Sequence, residues 1–266
     1  MQGRVLIVAG SDSGGGAGIQ ADLKTVIALG GYGATAITAL TAQNTEGVFG
    51  VVGIDPAFIK QQMDVVLRDI GADALKTGML HTAQVIDAVV DTLDELAPTV
   101  PLVADPVMVA QSGDALLDPH AVETLLRRLV PRATVLTPNV PEAEALTDRA
   151  VGNLADMEAA GRALLDLGAQ AVLVKGGHLS GAKVTDVLVT AEGVRRFDSP
   201  RIDTVHTHGT GCTLASAIAT GLAQGLALEP AVVRARAYLI EAIRQAPGLG
   251  HGSGPVNHGH TVRPFP

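Results

Sequence analysis

The chain has 266 residues, and 47% of them are hydrophobic, which is enough for a large core in a single domain. Its formal net charge is −8, whereas a surface that binds nucleic acid or an anionic membrane needs a clustered excess of Lys and Arg. The composition therefore argues against both partners. The single cysteine fits a reducing compartment, no run approaches the ~18 apolar residues of a spanning helix, and residues 4–9, RVLIVA, are too short for a signal peptide. We expect a soluble, cytoplasmic, single-domain protein over residues 1–266.

Short β-branched runs alternate with longer segments of helical period, a pattern typical of βαβ units around a mostly parallel sheet. The predicted strands are residues 5–9, 34–40, 48–54, 72–78, 101–107, 134–138, 171–177 and 184–190. The predicted helices are residues 17–30, 56–70, 82–97, 118–130, 153–168, 211–226 and 229–245. Three of these helices have a proline near their start, where its missing N–H costs nothing: Pro56, Pro119 and Pro230. Glycines stand where three helices should end, at Gly30, Gly168 and Gly225.

A glycine-rich loop follows the first predicted strand. Residues 9–25 read AGSDSGGGAGIQADLKT, and the glycines allow the backbone to approach a ligand closely before a helix begins. The loop lacks the Gly-Lys-Ser/Thr ending of a Walker A motif, and Ile19 stands where the last glycine of GxGxxG would fall. An alternative interpretation is a flexible turn in which Asp12 or Ser13 caps the helix.

Polar residues follow other predicted strands, and the carboxyl ends of strands are where functional residues of open α/β sheets gather. They are Gln43 and Asn44, Asp105, Asn139 and Glu142, and Lys175. Each has an ordinary alternative: the amides could satisfy a turn, the acids could cap helices, and the lysine could be a solvated charge. Together they match the requirements of phosphoryl transfer, because carboxylates hold Mg²⁺ on phosphates and a lysine neutralises them.

Several motifs together resemble the hydroxymethylpyrimidine and phosphomethylpyrimidine kinases, which are members of the ribokinase-like superfamily. Besides the glycine-rich loop, the motifs are GATAITALTAQNTEGV at residues 33–48, DPVM at 105–108, TPNVPEAE at 137–144, VLVKGGH at 172–178, THGTGCTLASAIA at 207–219 and GHGSGPVNH at 250–258. The resemblance implies a ribokinase-like three-layer α/β sandwich and a homodimer that uses ATP and Mg²⁺. It also implies two successive phosphorylations, first of the pyrimidine's hydroxymethyl group and then of the resulting monophosphate.

The same resemblance implies roles for individual residues. Gln43 is similar to the amide that pairs with the aminopyrimidine, because an amide offers a donor and an acceptor together. Asp22, Gly10 and Val107 resemble the rest of that pocket, although Asp22 could equally be an ordinary acid on a helix surface. On the phosphate side, Glu142 is expected to organise Mg²⁺ through its water shell with help from Asp105, and ATP is expected to lie beside three residues: Asn139, Lys175 and Thr210.

Residues 206–213, HTHGTGCT, contain the only cysteine. The backbone N–H groups at the start of the following helix are expected to form an anion hole for the transferring phosphoryl group, within Gly209, Thr210, Gly211 and Cys212. Cys212 is expected to accept the proton of the substrate hydroxyl, and a helix N-terminus should lower the pKa of its thiol toward neutrality. The alternative is a small buried hydrophobic residue.

Three other functions stay open from the sequence. The first is a pyridoxal kinase, since related enzymes use the same scaffold, although Gln43 favours an aminopyrimidine. The second is a pyrimidine-binding sensor without catalysis, against which Asp105, Glu142, Lys175 and Cys212 argue. The third is a dinucleotide-dependent oxidoreductase, which only the imperfect glycine-rich loop suggests.

Overall fold

The computed structural model describes residues 2–110, 113–118 and 120–263. The strands of its central sheet are β1 (Arg4–Ala9), β2 (Tyr32–Ile37), β5 (Ala74–Thr77), β6 (Leu102–Ala104), β7 (Val135–Leu136), β8 (Ala171–Val174), β9 (Lys183–Thr190) and β10 (Gly193–Pro200). They lie in the order β2-β1-β5-β6-β7-β8-β9-β10. The pairs from β2 to β8 are parallel, and β9 and β10 add an antiparallel edge. The mostly parallel sheet is therefore confirmed.

The helices are α1 (Gly18–Ala28), α2 (Pro56–Asp69), α3 (Ala83–Leu96), α4 (Ala121–Thr124), α5 (Val140–Thr147), α6 (Leu154–Asp166), α7 (Thr210–Ala223) and α8 (Leu228–Arg244). Helix α4 continues through a π turn at Leu125–Leu129 and a 3₁₀ turn at Val130–Arg132, so the predicted helix 118–130 is only partly regular. Pro119 lies outside the described residues. The three glycines predicted to end helices all have positive φ, between 81° and 109°.

Both faces of the sheet are buried, as the alternation of side chains in β1 shows. Leu6 and Val8 pack into a core with α2, α3 and α6, whereas Val5 and Ile7 pack into a second core with α1, α7 and α8. Alternate residues of one strand thus enter different cores, because successive side chains point to opposite faces. The expected three-layer α/β sandwich is confirmed.

Three features differ from the predicted elements. The predicted strand 34–40 divides into β2 and β3 (Ala39–Gln43), and β3 pairs antiparallel with β4 (Val48–Gly53) in a separate hairpin outside the central sheet. Helix α5 and edge strand β10 were not predicted. Within the described part of the chain, no helix is both long and apolar enough to cross a membrane.

Candidate active site

A cavity of about 410 Å³ lies at the carboxyl ends of the parallel strands. Its size falls within the usual range for small-molecule sites. Every predicted site residue except Asp22 borders it: Gly10, Gln43, Asp105, Val107, Asn139, Glu142, Lys175, Gly209, Thr210, Gly211 and Cys212. Residues far apart in the sequence therefore meet here, because the ends of parallel strands share one edge of the sheet.

Lys175 lies between two carboxylates on one wall of this cavity. Its Nζ is 2.8 Å from Asp105 Oδ1 and 3.8 Å from Glu142 Oε2. Burial disfavours the ammonium, but the two carboxylates outweigh it and raise the pKa of Lys175. Its side chain is 13% exposed, so the interpretation as a solvated charge is wrong. The lysine is a fixed, charged group beside the cavity.

Glu142 is both a helix cap and a cavity residue. Asn139 Oδ1 accepts from Glu142 N at 2.8 Å, and Glu142 Oε2 accepts from Asn139 N at 2.7 Å, which forms a capping box at the start of α5. Burial raises the pKa of the Glu142 carboxyl to about 7, with Lys175 opposing and Asp105 reinforcing the rise. The ordinary capping role and the predicted functional position therefore coincide.

The first turn of α7 faces this wall. Gly209 precedes the helix with φ +79°, and no side chain caps the helix start. The N–H of Thr210 donates to the carbonyl oxygen of Thr207 at 3.3 Å, which leaves the N–H groups of Gly211 and Cys212 available to an anion. A Cβ on Gly211 would lie 3.3 Å from Lys175 Nζ and 3.7 Å from Asp105 Oδ2. The open helix N-terminus and the lysine therefore converge on one small region, as a phosphoryl group requires.

Cys212 is half-buried in the same turn, and the expected lowering of its thiol pKa is wrong. Burial raises the pKa of the thiol to about 11; Lys76 and an N–H from Gly18 oppose the rise, and Asp22 and Asp105 add to it. Desolvation of the charged form thus outweighs the stabilisation of the thiolate by Lys76 and by the Gly18 N–H. At neutral pH the thiol is protonated in the free protein.

Another part of the cavity lining holds residues that are expected to contact a pyrimidine, among them Gln43 and Gly10. Gln43 ends β3, where its backbone N–H donates to Ser13 Oγ at 2.8 Å and Ser13 Oγ donates to its carbonyl oxygen at 2.8 Å. Thr41 Oγ1 lies 3.3 Å from Gln43 Oε1. A Cβ on Gly10 would approach Met79 Sδ to 2.9 Å, so a larger residue here would require the methionine side chain to shift. The loop after β1 therefore holds the backbone of Gln43, whose side chain is the predicted amide.

Asp22 is buried, so the interpretation as an ordinary acid on a helix surface is wrong. It does not itself border the cavity, and its expected place in the pyrimidine pocket stays a prediction. It is 0% exposed, and both of its oxygens lie 2.9 Å from Nζ of Lys76, which is also 0% exposed. Ser216 Oγ donates to Asp22 Oδ1 at 2.7 Å. Although burial disfavours the ammonium, Asp22 raises the pKa of Lys76. Asp22 acts behind the wall, as the counterion of a lysine that does border the cavity.

Lys76 is one of three groups near the site that the sequence reasoning missed. It lies within the four-residue strand β5, where nothing in the sequence distinguishes it from a solvent-facing lysine. Asp12 and His208 form a buried contact of 2.8 Å between the glycine-rich loop and the residue before Gly209. The glycine-rich loop and the HTHGTGCT motif were both recognised, but no signal in the sequence linked them.

Comparisons with known proteins agree with this geometry. The family model described as phosphomethylpyrimidine kinase matches residues 12–257. A hydroxymethylpyrimidine/phosphomethylpyrimidine kinase of Rhizobium meliloti is 50% identical, over 96% of both chains. The thiamine biosynthesis bifunctional protein ThiED of Geobacter sulfurreducens is 54% identical over 97% of this chain, which spans 52% of that longer protein.

Solved structures give the same fold. A phosphomethylpyrimidine kinase from Clostridium difficile is 44% identical, with a TM-score of 0.80 over 90% of this chain and 99% of that one. The ADP complex of a Bacillus subtilis pyridoxal kinase is 38% identical, with a TM-score of 0.89 over 97% of this chain and 98% of that one. By its sequence over nearly its whole length, and by its fold, this chain belongs to the phosphomethylpyrimidine kinase family.

Proposed function

We propose that this chain transfers the terminal phosphoryl group of ATP to 4-amino-5-hydroxymethyl-2-methylpyrimidine and then to its monophosphate, as a step of thiamin biosynthesis. The observation that carries the proposal is one cavity that is bordered both by Gln43 and by the N-terminus of α7 beside Lys175. Family membership supports kinase chemistry, and the neighbours solved with ADP support the use of ATP. We take residues 1–266 as one kinase domain acting in the cytoplasm, where a single free thiol stays reduced.

In this proposal, Gln43 binds the pyrimidine, and the N-terminus of α7 with Lys175 binds the phosphoryl group. The amide of Gln43 pairs with the aminopyrimidine edge and orients the hydroxymethyl group. The first-turn N–H groups of α7, with Lys175, receive the charge that spreads over the transferring phosphoryl oxygens. Because these donors are fixed before the substrates bind, they need no reorganisation during transfer.

We further propose that Cys212 accepts the proton of the substrate hydroxyl. Since burial raises the pKa of the thiol to about 11, the reactive thiolate is a minor form at neutral pH. Phosphoryl transfer has a loose transition state, so the proton leaves late and a small thiolate population suffices. Turnover limited by this step should therefore rise with pH from about 7 to 10.

Mg²⁺ fits the donor set beside Lys175. Among the described residues, no group of three or more His, Cys, Asp or Glu side chains could hold a resident ion. Mg²⁺ instead uses one or two carboxylates together with waters and substrate phosphates, and Asp105 and Glu142 supply such a pair. When bound, the ion would neutralise phosphate charge. The test is Glu142→Gln, which should lower kcat and recover in part as Mg²⁺ is raised, with exposed Glu192→Gln as the control. Parent-like turnover at limiting Mg²⁺ would contradict the assignment.

A homodimer is proposed from the outer face of the β3–β4 hairpin. Leu40 and Val52 are cross-strand neighbours with 46% and 65% of their surfaces exposed, and Phe49, also on β4, is 72% exposed. An apolar sheet face of this kind is usually covered by a partner. Val52→Lys should convert dimer to monomer in analytical ultracentrifugation, whereas Val233→Lys, which alters an exposed valine on α8, should not. A parent protein that is monomeric at micromolar concentration would refute the proposal.

The experiment that tests the activity is an ADP-release assay with hydroxymethylpyrimidine, its monophosphate and pyridoxal as parallel acceptors. We expect both pyrimidines to be phosphorylated with higher kcat/KM than pyridoxal. A higher kcat/KM for pyridoxal would replace the proposed substrate with the one that the related pyridoxal kinases use. ADP release with none of the three acceptors would contradict the kinase assignment altogether.

A further inference from the structure

The contact between Asp12 and His208 is a buried polar pair inside the active-site wall. Asp12 follows β1 and His208 precedes α7, so the pair joins residues 196 positions apart. His208 Nε2 lies 2.8 Å from Asp12 Oδ2, and the side chains are 8% and 1% exposed. A polar contact that is shielded from water in this way has far more effect on geometry than an exposed pair.

Asp12 also organises the glycine-rich loop around itself. Its Oδ1 accepts from the N–H of Gly14 at 2.8 Å, and its Oδ2 accepts from the N–H groups of Gly16 and Ala17 at 3.0 and 2.8 Å. Burial works against ionisation, but the contact with His208 and these N–H groups outweigh it and lower the pKa of Asp12. One carboxylate therefore fixes both the shape of the loop and its attachment to His208.

At this attachment the two backbones touch directly. A Cβ on Gly209 would overlap the carbonyl oxygen of Gly16, and a Cβ on Gly16 would overlap the ring of His208. The turn that opens the anion hole thus rests on the glycine-rich loop without intervening side chains.

The pair is also linked, by two sets of hydrogen bonds, to the segment of residues 43–45 that carries Gln43. On the Asp12 side, the neighbouring Ser13 exchanges hydrogen bonds with the backbone of Gln43. On the His208 side, the His208 N–H donates to the carbonyl oxygen of Gly254 at 3.1 Å, and the next residue back, Ser253, donates to the carbonyl oxygen of Thr45 at 2.9 Å. Through these contacts, Asp12 and His208 are each linked to the segment of residues 43–45.

We infer that Asp12 and His208 are a pair of positioning residues that set the distance between the bound pyrimidine and the anion hole. The inference rests on the proposed function, because it concerns the alignment of acceptor and phosphoryl group. In-line transfer requires reacting atoms about 3 to 3.5 Å apart, and a misplacement of about 1 Å can cost 10²-fold in rate. Neither residue needs to touch the reacting atoms to have this effect.

The test compares His208→Ala with His208→Gln, whose terminal amide places a donor where Nε2 lies. We expect His208→Ala to lower kcat about 10- to 100-fold with little change in the KM for ATP, and His208→Gln to recover most of the loss. His260→Ala is the control, since His260 is a half-buried histidine that contacts the carbonyl oxygen of Tyr238 at 3.1 Å, outside the cavity lining. A kcat for His208→Ala equal to that of the parent would overturn the inference, as would a His208→Gln variant as slow as His208→Ala.

A double-mutant cycle separates positioning from stability. Asp12→Asn and His208→Ala are combined, and kcat and the melting temperature are measured for the parent, both single variants and the double variant. We expect strong coupling in kcat, with the double variant about as slow as the slower single variant. Independent, multiplicative effects on kcat would overturn the inference. These ratios are taken on whichever acceptor the parent phosphorylates, so failure of the proposed pyrimidine substrate is seen separately in the parent assay.

Discussion

Replacement of Glu142 by Gln should stabilise the protein at alkaline pH although it damages the site. Burial raises the pKa of this carboxyl from 4.5 to about 7, and one pKa unit corresponds to about 1.36 kcal/mol, so ionisation of the folded protein costs up to about 3 kcal/mol. Because the folded state holds the proton more tightly, this contribution to stability is present below pH 4.5 and is lost as the pH rises through 7. Glutamine keeps the capping box and has no charge to bury.

The assay is thermal and urea unfolding of the parent and Glu142→Gln between pH 5 and 8.5, without nucleotide. We expect the variant to gain little at pH 5 and up to about 3 kcal/mol at pH 8.5, which corresponds to a rise in Tm of roughly 6 to 12 °C for a chain of this size. The exposed Glu192→Gln should show no such pH dependence. A Glu142→Gln variant less stable than the parent at pH 8.5 would refute the reasoning.

Three further predictions concern other residues of the site. Gln43→Ala should raise the KM for the pyrimidine by a factor that corresponds to about 1–3 kcal/mol and leave the KM for ATP unchanged, with exposed Gln61→Ala as the control; an unchanged pyrimidine KM would remove Gln43 from the pocket. Cys212→Ser should lower kcat and kcat/KM together, and full turnover of this variant at saturating substrates would contradict the role of Cys212 as a base. Alkylation of the parent by iodoacetamide should accelerate up to about pH 10, because the thiol pKa is about 11. Lys76→Met should destabilise the protein by about 3–5 kcal/mol in urea unfolding because it leaves Asp22 buried and unpaired, and Asp22→Asn added to it should recover part of the loss; additive losses would contradict an ion pair.

Much of the fold was predictable because its signals are local. Each of the seven predicted helices corresponds to helical structure in the described residues, and helical period was enough to recognise them. Helix α5 was missed because eight residues are too few for a periodic signal, although Asn139 and Glu142 were singled out for another reason. Edge strand β10 has the sequence GVRRFDSP and keeps two arginines and an aspartate facing solvent, as edge strands often do, so it shows no apolar pattern.

The site was predictable as far as residues at strand ends and family motifs could indicate it. The site residues that were not predicted owe their importance to contacts between residues that are distant in the sequence and meet only after folding. Lys76 becomes important only because Asp22 and Cys212 lie beside it, and His208 only because it contacts Asp12. The predicted direction of the Cys212 pKa shift was wrong for a similar reason. The helix N-terminus can be recognised in the sequence, whereas burial of the thiol depends on how the folded molecule packs.

The proposed double phosphorylation can be followed in a ³¹P NMR time course of the protein with ATP, Mg²⁺ and hydroxymethylpyrimidine. We predict that a pyrimidine monophosphate appears first and is then converted to the diphosphate, with two ATP consumed for each pyrimidine. ATP that stays intact in the presence of hydroxymethylpyrimidine, or a reaction that stops at the monophosphate with ATP in excess, would contradict it.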